Sequence, residues 1–439
     1  MRQDKILLDF QNWSRERRRY SQLQSCYWRD ADTPPSFIDC SNPNLDGHSM
    51  YNLGPYKNDA EAMYSILTTC HNIQTLHFEA SQGGCEVEGM EMFSFPWGQR
   101  RAKFPPLRNL SIVNYDWESV KNGTRDIDRW MEAMDWSLLR RLKIDRPSRN
   151  VTEALKGKLP SLESLTILPK RGFWGDEITL CKFGEEGAAL RDMYVEFICS
   201  MSPLKELSIG GMGEHLNISR ILAKHRTTLE RLTIHEFERD CKERTRNSTW
   251  TRPFLSITQV QEIRDAAPVL QHLGLDVYRS ANRWPMAMFK SLATFPNLTS
   301  LDIYLDLEDP WRTKPTKTCF GDWERRSGSC IVNELMRPRL TKEAAGVIFQ
   351  QMRVWSGQGD QSRSKLSALS LIAGDYNRHI PGGLRLHRHY DKPVPVRIDC
   401  QAYDSGMFEC KEWRDWDPWG ADGLGMADGL EMDVEAGEL

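Results

Sequence analysis

The chain has 439 residues, of which 40% are apolar, and its formal net charge is -3 at pH 7. This composition supplies ample side chains for a core, and the nearly balanced charge excludes a global attraction to nucleic acid or to an anionic membrane. The balanced charge predicts neither a nucleic-acid partner nor a membrane partner. No run of 18 apolar residues occurs, so we also expect no membrane span.

The 11 cysteines are scattered from Cys26 to Cys410 and include no Cys-x-x-Cys pair. This spacing predicts neither a zinc site nor a disulfide framework, and it favours a reducing compartment. The first residues contain only a short apolar run followed by a basic cluster at 15–20, a pattern that is not typical of an export signal. We therefore expect an intracellular protein, cytoplasmic or nuclear.

Residues 1–56 predict an irregular N-terminal segment with one possible helix, near Lys5 to Leu23. A passage rich in Pro, Asn and Gly follows from Thr33 to Tyr56. The basic cluster is more typical of a solvated helix face than of a site for an acidic partner or for nuclear import.

From residue 57 the chain repeats the pattern Leu-x-x-Leu-x-Ile, which is clearest at Leu298, Leu301 and Ile303. Nine copies occur, and their first residues are separated by 34, 32, 23, 42, 25, 41, 28 and 68 positions. Side chains alternate in an extended chain, so the fourth and sixth residues of each unit face a core and the third, fifth and seventh face solvent. The predicted strands are centred on Leu76, Leu110, Leu142, Leu165, Leu207, Leu232, Leu273, Leu301 and Leu369.

Stretches with helical periodicity precede six of these strands. Two of them begin with capping boxes, Asn58-x-x-Glu61 and Ser256-x-x-Gln259, and proline stands just before the first apolar residue of five units. Helices that lead into strands in this order predict parallel strands joined by helical crossovers, which is an α/β fold.

Several of the units, among them FPPLRNLSIVNYD, LPSLESLTILPK and FPNLTSLDIYL, resemble the leucine-rich repeats of fungal F-box/leucine-rich-repeat proteins. The resemblance covers roughly residues 57–380. It implies a solenoid, a curved parallel sheet with helices on the convex side, that holds a protein ligand on its concave face. In that family an N-terminal F-box recruits a ubiquitin-ligase adaptor.

The Leu-Pro start of an F-box is missing near the N-terminus, because the Leu-Pro pairs begin at Leu159 and Leu168, inside the repeats. We therefore expect a ubiquitin-ligase adaptor to bind only through a segment upstream of Met1 or through a second protein.

The predicted solenoid extends over 57–410, with an insertion around 305–340 that favours a disordered loop over a functional one. The segments VRIDC and MFECKEW predict two strands that close its open end as a C-terminal cap. Residues 411–439 combine a Trp-rich end of the cap with an acidic tail predicted to be disordered. Trp413, Trp416 and Trp419 favour a packed cap, with a peptide site as the alternative.

The sequence predicts no catalytic residue, no cofactor and no metal site. His387 and His389 lack an evident third ligand, His235 lacks the second histidine of a zinc-protease helix, and Cys70 and Cys199 indicate buried inert thiols. An unrecognised enzyme is therefore the remote alternative.

The third, fifth and seventh positions of the units form a polar ladder on the predicted concave face. Arginine and tyrosine dominate binding energy at many interfaces, so we expect this ladder to bind a protein ligand. The candidate partner-binding residues are Arg141, Lys143, Arg231, His235, His272, Asp276, Asp302 and Tyr304. Together with the resemblance to F-box/leucine-rich-repeat proteins, they imply a substrate or partner receptor linked to ubiquitin-dependent protein turnover. A scaffold or inhibitor without a ligase connection is the alternative.

Overall fold

The computed structural model describes residues 44–46, 56–79, 94–97, 102–113, 115–145, 147–168, 185–210, 216–235, 254–279, 283–305, 340–359, 363–373, 396–403 and 407–413. The strands are β1 (Asn44–Asp46), β2 (Thr75–Glu79), β3 (Asn109–Val113), β4 (Val120–Lys121), β5 (Thr124–Arg125), β6 (Arg141–Asp145), β7 (Ser164–Leu168), β8 (Glu206–Gly210), β9 (Arg231–His235), β10 (His272–Val277), β11 (Ser300–Leu305), β12 (Ala368–Ala373), β13 (Val396–Ala402) and β14 (Phe408–Trp413). The α-helices are α1 (Tyr56–Thr69), α2 (Asp126–Ala133), α3 (Arg149–Leu155), α4 (Glu185–Cys199), α5 (Ile218–His225), α6 (Ile257–Ala266), α7 (Met286–Ala293) and α8 (Lys342–Ser356).

The described residues form an α/β fold built on one 12-stranded sheet, whose strands follow one another in chain order. All neighbouring strands from β1 to β12 are parallel, and β13 and β14 add an antiparallel hairpin to the edge formed by β12. The nine predicted strands and the two strands near the C-terminus are thus confirmed. The short β4–β5 ribbon forms a separate two-stranded sheet.

Neighbouring strands pair with equivalent residues opposite each other. Leu301 lies opposite Leu273 on one side and Leu369 on the other, and the same register holds along the sheet. Because side chains alternate, the leucines and isoleucines of successive units form rows on one face, where they are buried in a single core.

The helices cover this apolar face. Each helix from α2 to α8 contacts the next one in chain order. Large buried residues of the helices, such as Phe197 in α4, Phe289 in α7 and Phe349 in α8, belong to the same core as the strand leucines. The sheet and the helices therefore form two layers over the described residues.

Local signals explain several boundaries. The capping box predicted at Ser256 is confirmed, since its side chain accepts a hydrogen bond from the Gln259 amide and the Gln259 side chain accepts one from the Ser256 amide. The box predicted at Asn58 is wrong, because α1 begins at Tyr56 and Asn58 lies inside the helix. Asn122 and Gly123 have φ angles of 55° and 76°, which allow the tight turn between β4 and β5.

Aromatic side chains fill the core beneath β3 and β6. The Trp130 ring of α2 is fully buried and lies 4.9 Å from the ring of Phe104 and 5.5 Å from that of Phe95, measured between centroids. The Tyr115 hydroxyl donates a 2.7 Å hydrogen bond to the Asp126 carboxylate at the start of α2. Burial raises the pKa of Asp126 and also that of Tyr115.

The prediction that the chain lacks disulfides is wrong. Cys400 and Cys410 lie directly opposite each other in the β13–β14 hairpin and are bonded, because antiparallel pairing brings two distant thiols together. Cys70 is also disulfide-bonded, so the prediction of an inert free thiol fails there. Cys199 is a free thiol whose pKa is raised by burial. The cysteines therefore no longer support the prediction of a reducing compartment.

Several predictions lie outside the described residues: the helix near 5–23, the insertion except for its first and last residues, His387 and His389, Trp416 and Trp419, and the acidic tail. In the part of the chain that the structure describes, every helix is too short or too polar to cross a membrane.

Candidate protein-binding surface

The face of the sheet opposite the helices presents rows of polar side chains. The register sets His272 between Arg231 and Ser300, and it sets Gly274 between Thr233 and Asp302. Two residues further along each strand, Asp276 lies opposite Tyr304. The sequence-predicted residues of β9, β10 and β11 are therefore immediate neighbours, although they come from distant parts of the chain.

We call His235, His272, Asp276, Asp302 and Tyr304 the histidine–tyrosine cluster. His235 Nδ1 donates a hydrogen bond of 2.8 Å to Asp276 Oδ1, and the His235 ring stacks on the Tyr304 ring with centroids 3.7 Å apart. His272 Nδ1 lies 2.8 Å from Ser300 Oγ, while its Nε2 lies 3.5 Å from Asp302 Oδ2. The aromatic ring of Tyr304 is thus held by a histidine that is itself oriented by a carboxylate.

Three members of the cluster are not exposed, contrary to the prediction. The exposed fractions are 7% for His235, 8% for His272 and 5% for Asp276. Strands only about 4.8 Å apart bring these side chains into mutual contact, and the Tyr304 ring covers His235. These three residues therefore support Tyr304 and Asp302, which are partly exposed, and do not form the outer surface themselves.

Burial also changes the protonation of His272. Loss of solvent lowers its pKa, and the nearby positive charge of Arg231 acts in the same direction, whereas Asp302 and Glu206 oppose the change. A neutral His272 at pH 7 has one nitrogen that accepts and one that donates, which matches its contacts with a hydroxyl and a carboxylate.

Gly274 allows β9 and β10 to approach closely within the cluster. A Cβ atom at this position would lie 2.9 Å from Thr233 Oγ1 and 3.0 Å from Thr233 Cγ2. Because residue 274 has no side chain, nothing in that row separates Thr233 from Asp302. A larger residue would push Thr233 out of its position.

The basic residues predicted for the site form two separate groups. Arg141 is exposed and Lys143 is partly buried on β6, whereas Arg231 is exposed on β9 and lies 4.0 Å from Glu206. Three strand spacings separate Arg141 from Arg231, which is roughly 14 Å. The structure therefore brings Arg231 to the histidine–tyrosine cluster and leaves Arg141 and Lys143 at a distance.

Ser300, His272 and Asp302 follow one another in the order of a nucleophile, a base and an orienting acid. The strand amides around them pair with β10 or β12, so they are not available to stabilise an oxyanion. No group of three or more metal-ligating side chains occurs in the described ranges.

The predicted set omits Arg108, Arg140 and Glu163, which precede β3, β6 and β7. Each is the second residue of its unit, and Arg108 and Arg140 are exposed. The repeat pattern could have identified these three residues, because the residue just before each strand occupies the same position in every unit.

No protein-family model and no curated protein matches the chain. The relation to fungal F-box/leucine-rich-repeat proteins thus stays a prediction from the repeat motifs.

Proposed function

We propose that this chain is a protein-interaction module, a leucine-rich-repeat solenoid of the F-box-like receptor type that holds a protein ligand on the polar face of its sheet. One observation carries the proposal. Parallel strands paired residue for residue give one face to the core and helices, and leave on the other face a continuous array of polar side chains. Repeat proteins use extended surfaces of this kind for binding.

A protein suits this face better than a nucleic acid does. The array mixes Arg141 and Arg231 with Glu206 and Asp302, and a polyanion would meet the carboxylates as well as the guanidinium groups. Tyr304, held against His235, offers a rigid aromatic contact of the kind that contributes strongly to protein interfaces.

We also propose that the module serves ubiquitin-dependent turnover, with the ligase adaptor bound by another segment or by a second protein. The repeat motifs that resemble fungal F-box proteins support this step. A scaffold or inhibitor would share the binding face and lack the adaptor.

The test is affinity capture of the tagged chain from its native cells, followed by mass spectrometry. We expect Arg141→Glu with Arg231→Glu to weaken capture of the ligand and to leave thermal stability nearly unchanged, because both side chains are exposed. The matched control is Arg220→Glu with Lys342→Glu, the same charge change in the first turns of α5 and α8 on the helical layer.

If the Arg141/Arg231 variant captures the ligand at the wild-type level, the polar face is not the binding site. Among the proteins captured by the wild type, an adaptor subunit supports the turnover role. Its absence favours the scaffold or inhibitor.

A further inference from the structure

Charges on the polar face from β7 to β9 largely offset one another. Lys205 Nζ lies 3.1 Å from Glu163 Oε2, and Arg231 Nε lies 4.0 Å from Glu206 Oε1. These contacts link neighbouring units, so this part of the surface presents little net charge to a ligand.

The surface at β3 and β6 differs. We call Arg108, Arg140 and Arg141 the arginine patch. The backbone N–H groups of Arg140 and Arg141 both donate to the Arg108 carbonyl, at 2.7 Å and 3.0 Å, so the three residues are held side by side at the start of the strands. All three side chains are exposed.

No described carboxylate forms an ion pair with the arginine patch. The pKa of Glu163 is lowered mainly by its hydrogen bond to Lys205, and the positive charges of Arg140 and Arg141 contribute only weakly. The neighbours of Arg141 in its row, Asn109 and Ser164, are uncharged. Three exposed arginines on adjoining segments therefore give this part of the surface a local positive charge, which favours a negatively charged ligand.

We infer that the arginine patch binds an acidic segment of the protein ligand, through carboxylates that pair with its guanidinium groups. The inference rests on the proposed function and adds the chemistry of the partner. Guanidinium groups bind carboxylates through two parallel hydrogen bonds, which gives orientation as well as charge neutralisation.

A short acidic peptide suits the patch better than a nucleic acid does. The patch spans two strands, about 5 Å apart. A nucleic-acid strand extended along the rows would pass Glu163 and Glu206, whose carboxylates repel phosphates.

The experiment uses the full chain and a fluorescein-labelled polyglutamate peptide of about ten residues, with binding followed by fluorescence anisotropy at low salt and at about 150 mM salt. We expect Arg108→Gln, Arg140→Gln and Arg141→Gln together to raise the Kd by roughly tenfold or more, since each exposed pair contributes a few-fold. The matched control, Arg220→Gln, Lys224→Gln and Lys342→Gln on the helices, should change the Kd less than about twofold.

Three results would overturn the inference: no binding of polyglutamate by the wild type, equal weakening in both triple variants, or tighter binding of a single-stranded oligothymidylate with the same number of charges. Thermal unfolding of each variant verifies that it is folded.

Capture from cells separates this inference from the proposed function. If Arg231→Glu alone abolishes ligand capture while polyglutamate fails to bind the wild type, the inference fails and the polar face remains the binding site. If neither the arginine patch nor Arg231 affects capture, both fail.

Discussion

His225 shows how a single buried side chain joins three elements. Its Nδ1 accepts a hydrogen bond of 3.0 Å from the Leu204 amide, and its Nε2 lies 3.3 Å from the Ile198 carbonyl. The first contact requires an unprotonated Nδ1, so Nε2 carries the proton and the ring is neutral. The ring thus links the end of α5 to α4 and to the segment that leads into β8.

Stability should depend on pH through His225. Burial lowers its pKa below the ordinary value of 6.5, and Lys224 adds to this effect. Because the unfolded chain takes up a proton more readily, the stabilisation is present above pH 6.5 and is lost as the pH falls through the folded-state pKa. The wild type should therefore have a lower free energy of unfolding at pH 5.5 than at pH 7.5. We expect this loss to be smaller by about 1 kcal/mol in His225→Gln.

Thermal unfolding at the two pH values measures this effect. His71→Gln is the control, since it is the same substitution at an exposed position. An identical pH dependence in the His225 variant and the wild type would contradict the prediction.

The sequence predicts on which face a strand residue lies, but not whether that residue is covered. Alternation assigned His235, His272 and Asp276 to the polar face correctly, yet all three are buried there. Their burial depends on rings and carboxylates from other strands, such as Tyr304 against His235, and no local pattern records such contacts.

At the scale of elements, the C-terminal hairpin ends the parallel part of the sheet. β13 pairs with β12, and the Phe408 ring of β14 lies 5.6 Å from the Phe349 ring of α8, measured between centroids. The Cys400–Cys410 disulfide, between residues 10 positions apart in the chain, joins the two strands of this hairpin.

Replacing both hairpin cysteines by serine should destabilise the hairpin. A disulfide across a short loop contributes about 2 kcal/mol by restricting the unfolded chain, so we expect Cys400→Ser with Cys410→Ser to lower the Tm without reductant. Cys199→Ser is the control, because Cys199 forms no disulfide. The prediction fails if both variants unfold at the same temperature.

Element prediction succeeded where several units share a pattern and failed for short or isolated segments. Helix α3 was not predicted because its seven residues hardly display a helical period, and α7 was not predicted because its apolar residues form an almost continuous run, MAMFKSLA. Packing against their neighbours stabilises both helices. The β4–β5 ribbon has an Asn-Gly turn but lacks alternating apolar residues. The disulfide became evident only with the register of the hairpin, which spacing alone does not give.

At the scale of the whole molecule, the stacked leucines hold the units together. Leu207 is buried between Leu165 and Leu232 of the adjacent strands. We expect Leu207→Asp to cost about 3 to 5 kcal/mol, because it puts a charge into the shared core. Chemical denaturation followed by circular dichroism measures the loss.

Ser208→Asp is the matched control for Leu207→Asp. Ser208 is the next residue of β8 and points to the polar face, where a carboxylate stays in contact with water. Equal destabilisation by the two aspartates would contradict the assignment of the core face.

The constant register between strands has an evolutionary consequence. Only 23 positions separate Leu142 from Leu165, whereas 68 separate Leu301 from Leu369, yet the residues of each pair occupy equivalent positions in their strands. An insertion in a crossover therefore leaves both adjoining strands aligned. Single codon changes at the polar positions alter the surface one side chain at a time. A lineage that carries this scaffold can thus change its polar face by point mutation while its crossovers lengthen or shorten independently.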